Sequence, residues 1–595
     1  MEEISGEEIT TLEPVVVTAK RIPSPMLEVG SSISVVTAED IERRNIKSVH
    51  EAVREVAGVD VAQSGGLGKI TSVFLRGGNS FHTLVLIDGV QVNSPTTGGY
   101  DFGDLLVENI ERIEVLRGPQ SALYGSEAIG GVVNIITKKG KGKTAFSLLT
   151  EFGSFRTFRE RIGIIGAEEA FDYAFSISRI DSKGISAASE AQGNGEEDGY
   201  KNVTVSNRVG LNLPRDGRVD LTVRYITGEN EIDGFGADDP NRTLDRDALY
   251  AAIVIKGAVA DWWVPSLQLS VADEQLEQDD PDAIFDNSLT ETNVQNILLQ
   301  NELSLLMGNT LLVGVEYDQQ QGNRRGSFDE EVETKSVFVE DQAVLFDVLF
   351  LTAGVRYDDH STFGDETTFR GTLAYLIEGW DTKLHASFGT GFRAPSLNEL
   401  FFPGFSNTDL RAEESHGFDI GFGKEFLMDR SQEAFWFDVT YFHNDFDDLI
   451  SFPPPTFIPI NINEAEARGV EFSSGIVVMK DLAINLGYTF MDTEDKATGK
   501  QLLRRAKNKG SFAISYGVTD RLDVNLFGTI VEDRIDFGGA EMDDFVKVDI
   551  ASSYQVTDNL EFIGRIENLF DEDYEEVTGF TSPGFSVFGG VKMKL

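Results

Sequence analysis

The 595-residue sequence predicts an all-β protein, a large antiparallel barrel that follows a small N-terminal α+β domain. Three observations carry this. From Thr144 to Leu595, large apolar side chains alternate with small or charged ones, the period of one-faced strands. The connections between these runs switch between tight turns and long polar loops, with aromatic residues at the strand ends, as the girdles of a transmembrane barrel require. Between Ser72 and Lys139 the texture differs: three short, continuously apolar runs are bounded by glycines or turn pairs and read as strands of a small buried sheet. Taken alone, the alternation also fits a soluble sandwich or propeller, where the apolar face meets another sheet instead of lipid. Closed as a barrel, about 450 residues at roughly 20 per strand and connection give about 22 strands.

In chain order, Met1–Thr11 is polar and acidic and is expected to be disordered. Glu13, Pro14, Val15, Val16, Val17, Thr18 and Ala19 form a short apolar run with no strand partner legible nearby. It is either an edge strand or a segment that pairs with another protein's strand edge. Thr37-Ala38-Glu39-Asp40 has the spacing of a capping box and starts a helix before Ile41. Ser48 opens a second helix with Val49, Ala52, Val53 and Val56 on one face, ending at Gly58. Thr83–Ile87 is closed by Asp88-Gly89, Ile113–Leu116 by Arg117-Gly118-Pro119, and Val132–Ile136 is opened by Gly130-Gly131, with Ser121–Tyr124 a single helical turn. The stretch KKGKGK at Lys138–Lys143 is a flexible basic linker. The expected division is therefore 1–20, an N-terminal segment, 21–143, the α+β domain, and 144–595, the barrel. Within the barrel, Phe171, Tyr173, Phe175 and Ile177 alternate with Asp172, Ala174, Ser176 and Ser178, and the runs at Val219–Tyr225, Leu311–Tyr317 and Ile484–Phe490 repeat the pattern.

Composition excludes several classes. Fifty-one Lys plus Arg against 99 Asp plus Glu leave a net charge of −48, which rules out nucleic-acid binding by phosphate neutralisation. There is no cysteine, hence no disulfide, thiolate metal site or cysteine nucleophile. No apolar run reaches the length of about 18 residues that a membrane helix needs; the longest, Ala343–Leu351, is broken by Asp347. No G-x-S-x-G or Walker A pattern occurs, and Gly389–Ala394 fits a loose G-x-G-x-x-A only amid strand-like sequence. Six histidines (His50, His82, His360, His385, His416, His443) show no ligand spacing. The protein is expected not to be an enzyme and to require no cofactor. The opening MEEISGEE lacks a basic-then-apolar signal region, so in an exported protein Met1 is expected to stand where a signal peptide was removed.

Longer motifs narrow the reading. Arg76-Gly77, Leu86-Ile87-Asp88-Gly89-Val90, Arg112-Ile113-Glu114, Leu116-Arg117-Gly118-Pro119, Tyr124-Gly125 and Ala128 through Thr137 resemble the plug domain of TonB-dependent outer-membrane receptors. The cobalamin-receptor branch is the most similar. Phe388–Leu400 (FGTGFRAPSLNEL), Asn407–Leu410, Ala467–Glu471 and Glu567–Asp571 continue the likeness in order through the barrel. The resemblance implies a monomeric barrel in the outer membrane of a Gram-negative bacterium, with the α+β domain as a plug inside its lumen. It implies uptake of a scarce ligand without chemical change, with Glu13–Ala19 as the TonB box offered to the partner TonB. A corrinoid, cobalamin, is the expected ligand. A ferric siderophore or haem is the alternative within the class, and a passive or enzymatic barrel the alternative outside it.

Three sets of site residues follow. Gln63, Ser64, Gly65, Gly66 and Leu67, then Asn79 and Ser80, then Asn93, Ser94 and Tyr100 lie in loops rich in glycine, serine and asparagine. Such loops let backbone amides approach a ligand and also suit ordinary turns; the resemblance implies contact with the corrinoid. Arg76 and Arg117 sit in Arg-Gly turns, and the resemblance implies ion pairs with Asp419 and Glu471 of the barrel wall. Glu197, Asp198, Asp233, Asp238, Asp239, Asp245 and Asp247 crowd the early barrel loops, either as a solvated acidic rim or as oxygen ligands for calcium. The resemblance to the cobalamin branch implies calcium in these loops, which stands beside the solvated rim as the alternative.

Overall fold

The structure, a computed structural model, describes residues 16–18, 21–188, 195–234, 239–283, 287–427, 434–453, 455–479 and 481–595. Twenty-two antiparallel strands in sequential order form a closed barrel, shut by the pairing of the first strand, Ala145–Gly153, with the last, Ser586–Lys594. Side-chain burial decides between barrel and sandwich. In the strand Phe171–Ser182, Phe175 and Ile177 are exposed while Asp172, Ala174, Ser176 and Ser178 are buried. Leu221 and Tyr225 point out while Thr222 and Arg224 point in, and Leu486, Tyr488 and Phe490 point out while Thr489 points in. A sandwich would bury the large apolar set. Here that set forms an outer, lipid-facing band, and the polar set lines the lumen. No helix among the described residues is long and apolar enough to cross a membrane.

The N-terminal domain fills the lumen. After β1 (Val16–Val17) and β2 (Ser24–Pro25) come β3 (Ile33–Thr37), α1 (Ala38–Arg43), α2 (Val49–Arg54) and the hairpin β4 (Val59–Gln63) and β5 (Thr71–Leu75). Then follow β6 (Thr83–Ile87), β7 (Val90–Gln91), β8 (Ile110–Arg117), α3 (Ser121–Tyr124) and β9 (Gly131–Thr137). The sheet order is β3-β8-β9-β6-β7, parallel only between β6 and β9. Both sides of the capping box form at Thr37 and Asp40, and Ser48 caps α2. The α2 helix ends at Arg54, short of the Gly58 expected from the sequence. Gly58 instead permits a close approach between plug and wall. At φ +76° it passes the barrel's Glu471 so closely that a Cβ would strike that carboxylate. Val16–Val17 also differs from expectation, because it has a local partner: the chain turns through Arg21 and pairs Val17 with Ser24.

Val49, Val53, Val73, Val85, Ile113 and Val115 form the plug's apolar core, which continues onto Ile226, Tyr250 and Val294 of the barrel wall. Beside these apolar patches the plug–barrel interface carries polar contacts, with barrel side chains donating to plug carbonyls: Arg224 to Leu106 O at 2.6 Å, Arg208 to Thr137 O at 3.1 Å and Arg565 to Asn45 O at 2.7 Å.

Candidate functional site

At the long-loop end of the barrel, two cavities flank the plug apex. One, of about 390 Å³, is lined by Ser80, Ser94 and Tyr100 of the plug and by Arg246, Glu274 and Asn398 of the barrel. The other, of about 330 Å³, is lined by Asn79 and Ser80 and by Asn463, Arg504 and Arg505. Ser72 and Ser80 border both, so the hairpin end and the Asn79–Ser80 turn form a ridge between two cups. Among the described residues four arginines border the cups; Arg324, in the first, lies with its guanidinium 5.1 Å from the Phe402 ring centroid, and the other three are held by polar partners. Arg246 lies 3.3 Å from Asp101, 3.5 Å from Asp104 and 3.7 Å from Glu274. Arg504 pairs with Asp536 at 2.7 Å, and Arg505 donates to Gly78 O at 2.8 Å and Asn79 Oδ1 at 2.6 Å. Hydroxyls and amides face the cups together with apolar side chains such as Ile70, Phe81 and Leu276 and the carboxylates of Asp101 and Glu274.

The loop that carries Ser94 is clamped from the barrel. In FGTGFRAPSLNEL the Ser396 hydroxyl and Glu399 carboxylate form a capping box that starts α4 (Leu397–Phe401). The first amides of α4 donate to the plug: Leu397 N–H to Pro95 O at 2.9 Å and Asn398 N–H to Thr96 O at 3.2 Å. Fully buried Arg393 pairs with Glu413 and with Glu399 (3.0 Å), its guanidinium 4.5 Å from the Phe81 ring centroid. His82 completes this cluster. Its Nδ1 accepts Asn79 N–H at 3.0 Å, so Nε2 carries the proton towards Glu413, also at 3.0 Å. Burial holds the His82 pKa below its ordinary value and the ring neutral.

Among the sequence-derived ligand residues, Asn79, Ser80, Ser94 and Tyr100 line the cups and the others do not. Asn93 braces its loop from beneath, donating to Thr83 O at 3.0 Å and Gly98 O at 3.1 Å and accepting from Val85 N–H at 2.8 Å. The Gln63–Leu67 loop is pressed against the barrel wall. Gln63 donates to Gly66 O (2.8 Å) and to Glu576 (3.0 Å), Gly65 and Gly66 approach Ala187 and Ile185, and Leu67 packs on Tyr200. Ser64 donates its backbone N–H to Ile70 O at 3.0 Å, closing that loop's neck. The loop ends in Lys69, whose fully buried ammonium donates to Asn230 Oδ1 (2.7 Å), Glu231 O (2.6 Å), Asp198 O and Gly199 O (both 3.2 Å). The partners of Lys69 and Arg393 had no sequence signal, although Arg393 stands in FGTGFRAPSLNEL: local patterning does not show which carbonyls, amides and carboxylates the folded barrel brings to each.

Below the apex, Arg76 makes a bidentate pair with Glu471, 2.8 Å at each bond, and reaches Asp419 at 2.9 Å. Arg117 reaches the same Glu471 at 2.9 Å and donates to Ala57 O at 2.8 Å. All four side chains are buried. At the opposite, short-turn end, Val17 is buried beside Leu86 and Leu116. The Thr18 backbone N–H lies 3.0 and 3.1 Å from the two Glu114 oxygens, its hydroxyl donates to Glu114 at 3.0 Å, and Asn134 donates to that hydroxyl at 3.0 Å. The segment is thus stowed against the plug. Glu13, Pro14, Val15 and Ala19 lie outside the described residues.

The acidic set separates into parts. Carboxylate oxygens of Asp198, Asp233 and Glu196 converge within 4.8 Å of one another. Asp198 accepts Ala187 N–H at 2.5 Å and Asp233 accepts Ala188 N–H at 2.6 Å. Glu196 takes the place expected of Glu197, which is exposed. Asp239 gives its N–H to Asp233 at 2.9 Å. Asp245 and Asp247 belong to the strand Thr243–Lys256 and, two apart, share its outer face, where Tyr225 donates to Asp247 at 2.7 Å. They cannot reach the cluster. Asp238 lies outside the described residues. Burial, aided by the Asp233 charge, pushes the Asp198 pKa up to about 7, a cost a bound divalent cation would offset.

Comparisons with known proteins agree with this geometry. The TonB-dependent Receptor Plug Domain matches residues 25–132, and the TonB dependent receptor-like beta-barrel matches residues 179–569. The Vitamin B12 transporter BtuB of Photobacterium profundum is 33% identical over 574 residues, covering 94% of this chain and 92% of that protein. Its namesake in Vibrio vulnificus is 28% identical, covering 96% and 93%. The crystal structure of the siderophore receptor PiuA from Acinetobacter baumannii superposes with a TM-score of 0.83 at 17% identity, covering 98% of this chain and 99% of that one, a likeness of fold. A plug held by buried ion pairs inside a 22-stranded barrel, matched by both family profiles, places this chain among the TonB-dependent receptors of the outer membrane.

Proposed function

We propose that this receptor imports a corrinoid, with cobalamin the first choice, by TonB-dependent transport. The observation that carries the ligand class is the charge balance of the two cups: hydroxyls, amides and apolar side chains face the space beside the Asp101 and Glu274 carboxylates, and Arg246 and Arg504 are drawn into ion pairs. A corrinoid rimmed by neutral amide side chains suits such a surface, because each amide finds donors and acceptors. The saddle shape suits a broad ring resting on the Ser72–Ser80 ridge. The relatives named for vitamin B12 support the reading. A ferric siderophore, the runner-up, is commonly anionic; it would meet Arg324 directly but would need Arg246, Arg504 and Arg505 released from their partners within a chain of net charge −48.

Ligand in the cups touches the Asn79–Ser80 turn and the Ser94 loop, both tied to the His82–Glu413–Arg393 cluster. The plug below is gripped by Arg76 and Arg117. TonB takes the Glu13–Ala19 segment once Thr18 leaves Glu114, and pulling shifts the plug across its interface with the barrel. Calcium fits the Glu196, Asp198 and Asp233 carboxylates by charge and oxygen chemistry. When bound it would order the two loops that also enclose Lys69.

Titration of the purified receptor with cyanocobalamin, with and without calcium, tests both proposals. Nanomolar binding that weakens on chelation supports them. No binding in either condition overturns the corrinoid assignment and moves the ligand to iron chelates. Deleting residues 13–19 should leave binding intact and stop uptake.

A further inference from the structure

The short turns at the periplasmic end are of two kinds, and they are segregated around the barrel. Because the strands follow one another in order, consecutive turns are neighbours in space. Four consecutive turns present apolar side chains to the outside: Val259 and Trp262, then Leu306 and Met307, then Phe346, then Trp380. Met307 is fully exposed, Phe346 is 88% and Trp380 69% exposed. On either side of this arc, Arg215-Asp216 before it and Asp520-Arg521 and Asp558-Asn559 beyond it are polar and exposed; among the described residues between them, Met479 is 56% exposed at the turn that pairs it with Leu482.

The arc is set apart by what its tight turns expose. Phe346 and Asp347 both have positive φ, +57° and +58°, as Arg215 and Asp216 on the polar side do at +62° and +55°, but on the arc this conformation, one that bulky residues rarely adopt, holds a phenylalanine. A phenylalanine that is strained and also presented to water is doubly unfavourable unless something covers it. The lipid-facing band also reaches these turns. On the strand Ser288–Leu306 the outward row holds Ile297 and Leu299, is interrupted by Asn301, and resumes at Leu303 and Leu305 to run into Leu306 and Met307. On the polar side, Tyr516 and Val518 are followed by Thr519, Asp520 and Arg521.

We propose that this arc is immersed in the headgroup and upper acyl region of the periplasmic phospholipid leaflet, while the opposite arc stands in water. The occupant is lipid because the patch continues the band that lipid already covers, and because its tryptophans and phenylalanine are the residues that favour the membrane interface. The barrel then sits in the bilayer with a rim that is not level, deeper on the side of strands 243–393. The inference rests on the outer-membrane barrel reading.

The chain has no cysteine, so single labels are unambiguous. Met307→Cys, Phe346→Cys and Trp380→Cys on the arc, and Asp216→Cys, Asp520→Cys and Asp558→Cys opposite, would each carry a nitroxide in phosphatidylethanolamine–phosphatidylglycerol vesicles. Val315→Cys on the outer wall is the control. Collision with oxygen against collision with a water-soluble nickel chelate reads the surroundings. The expected oxygen-to-nickel ratio is several-fold higher on the arc than opposite and close to that of Val315→Cys. Equal ratios on the two arcs, whether both aqueous or both lipidic, overturn the proposal, and so does an aqueous arc shielded only when a periplasmic protein is added. A Val315 label in water would instead refute the membrane reading itself.

Discussion

The Arg76 cluster offers the sharpest test of how the plug is retained. Arg76→Ala removes three charge-assisted hydrogen bonds, two to Glu471 and one to Asp419, at a site where every partner is buried. Glu471 keeps Arg117 at 2.9 Å, and Asp419 keeps only the hydroxyl of Ser387 at 2.8 Å. Removing one member of a buried pair costs about 3–5 kcal/mol, mostly as the penalty for the charge left behind. At about 1.4 kcal/mol per tenfold, the transiently opened plug should become on the order of 10²–10³ times more populated. Hydrogen exchange of peptides spanning β5 and β8, followed by mass spectrometry, measures this directly. Glu471→Gln keeps the shape and loses the charge, and should cost about 1–3 kcal/mol, which provides a second reading if Arg76→Ala assembles poorly. Because both changes act on one network, the double variant should cost less than the sum. Unchanged exchange in both single variants would show that the cluster does not hold the plug.

Other outcomes follow from the same geometry. Glu114→Ala should release Val16–Thr18, seen as faster proteolysis or higher mobility of a label at Thr18, since three hydrogen bonds to one buried carboxylate disappear; an unchanged rate would mean the segment is held elsewhere. Gly68→Ala should detach the Lys69 loop from the wall, because φ is +82° and a Cβ would overlap the Tyr200 ring; ligand affinity and the melting temperature should both fall, and unaltered values would refute the docking. Burial lowers the His50 pKa from 6.5 to about 4, so the unfolded plug binds a proton there that the folded plug refuses. Plug stability is then complete above about pH 6.5 and loses about 3 kcal/mol as pH falls towards 4, a slope that His50→Asn should remove in melting scans. An identical slope in the variant would assign the acid sensitivity to other groups.

Local sequence rules determined much of this protein. Period-two alternation marked the strands, because it depends on neighbours two residues apart. The Thr37–Asp40 box and Ser48 started α1 and α2 for the same reason. Plug-like wording also pointed to Arg76, Arg117, Asp419 and Glu471, which the structure brings within 2.8–2.9 Å.

Tertiary structure decided what alternation leaves open, namely which face meets lipid. It also decided which of the acidic residues meet: Asp245 and Asp247 read as equals of Asp198 until the strand turned them outward, and Glu196 rather than Glu197 faced inward. The partners of Lys69 and Arg393 were invisible for a related reason. They lie 129–162 and 6–20 residues away, and only closure of the barrel around the plug makes a buried cage from charges that would otherwise be solvated. Sequence specifies strands and turns through short-range sterics, whereas sites in a plugged barrel are made by side chains that meet only after the sheet has closed.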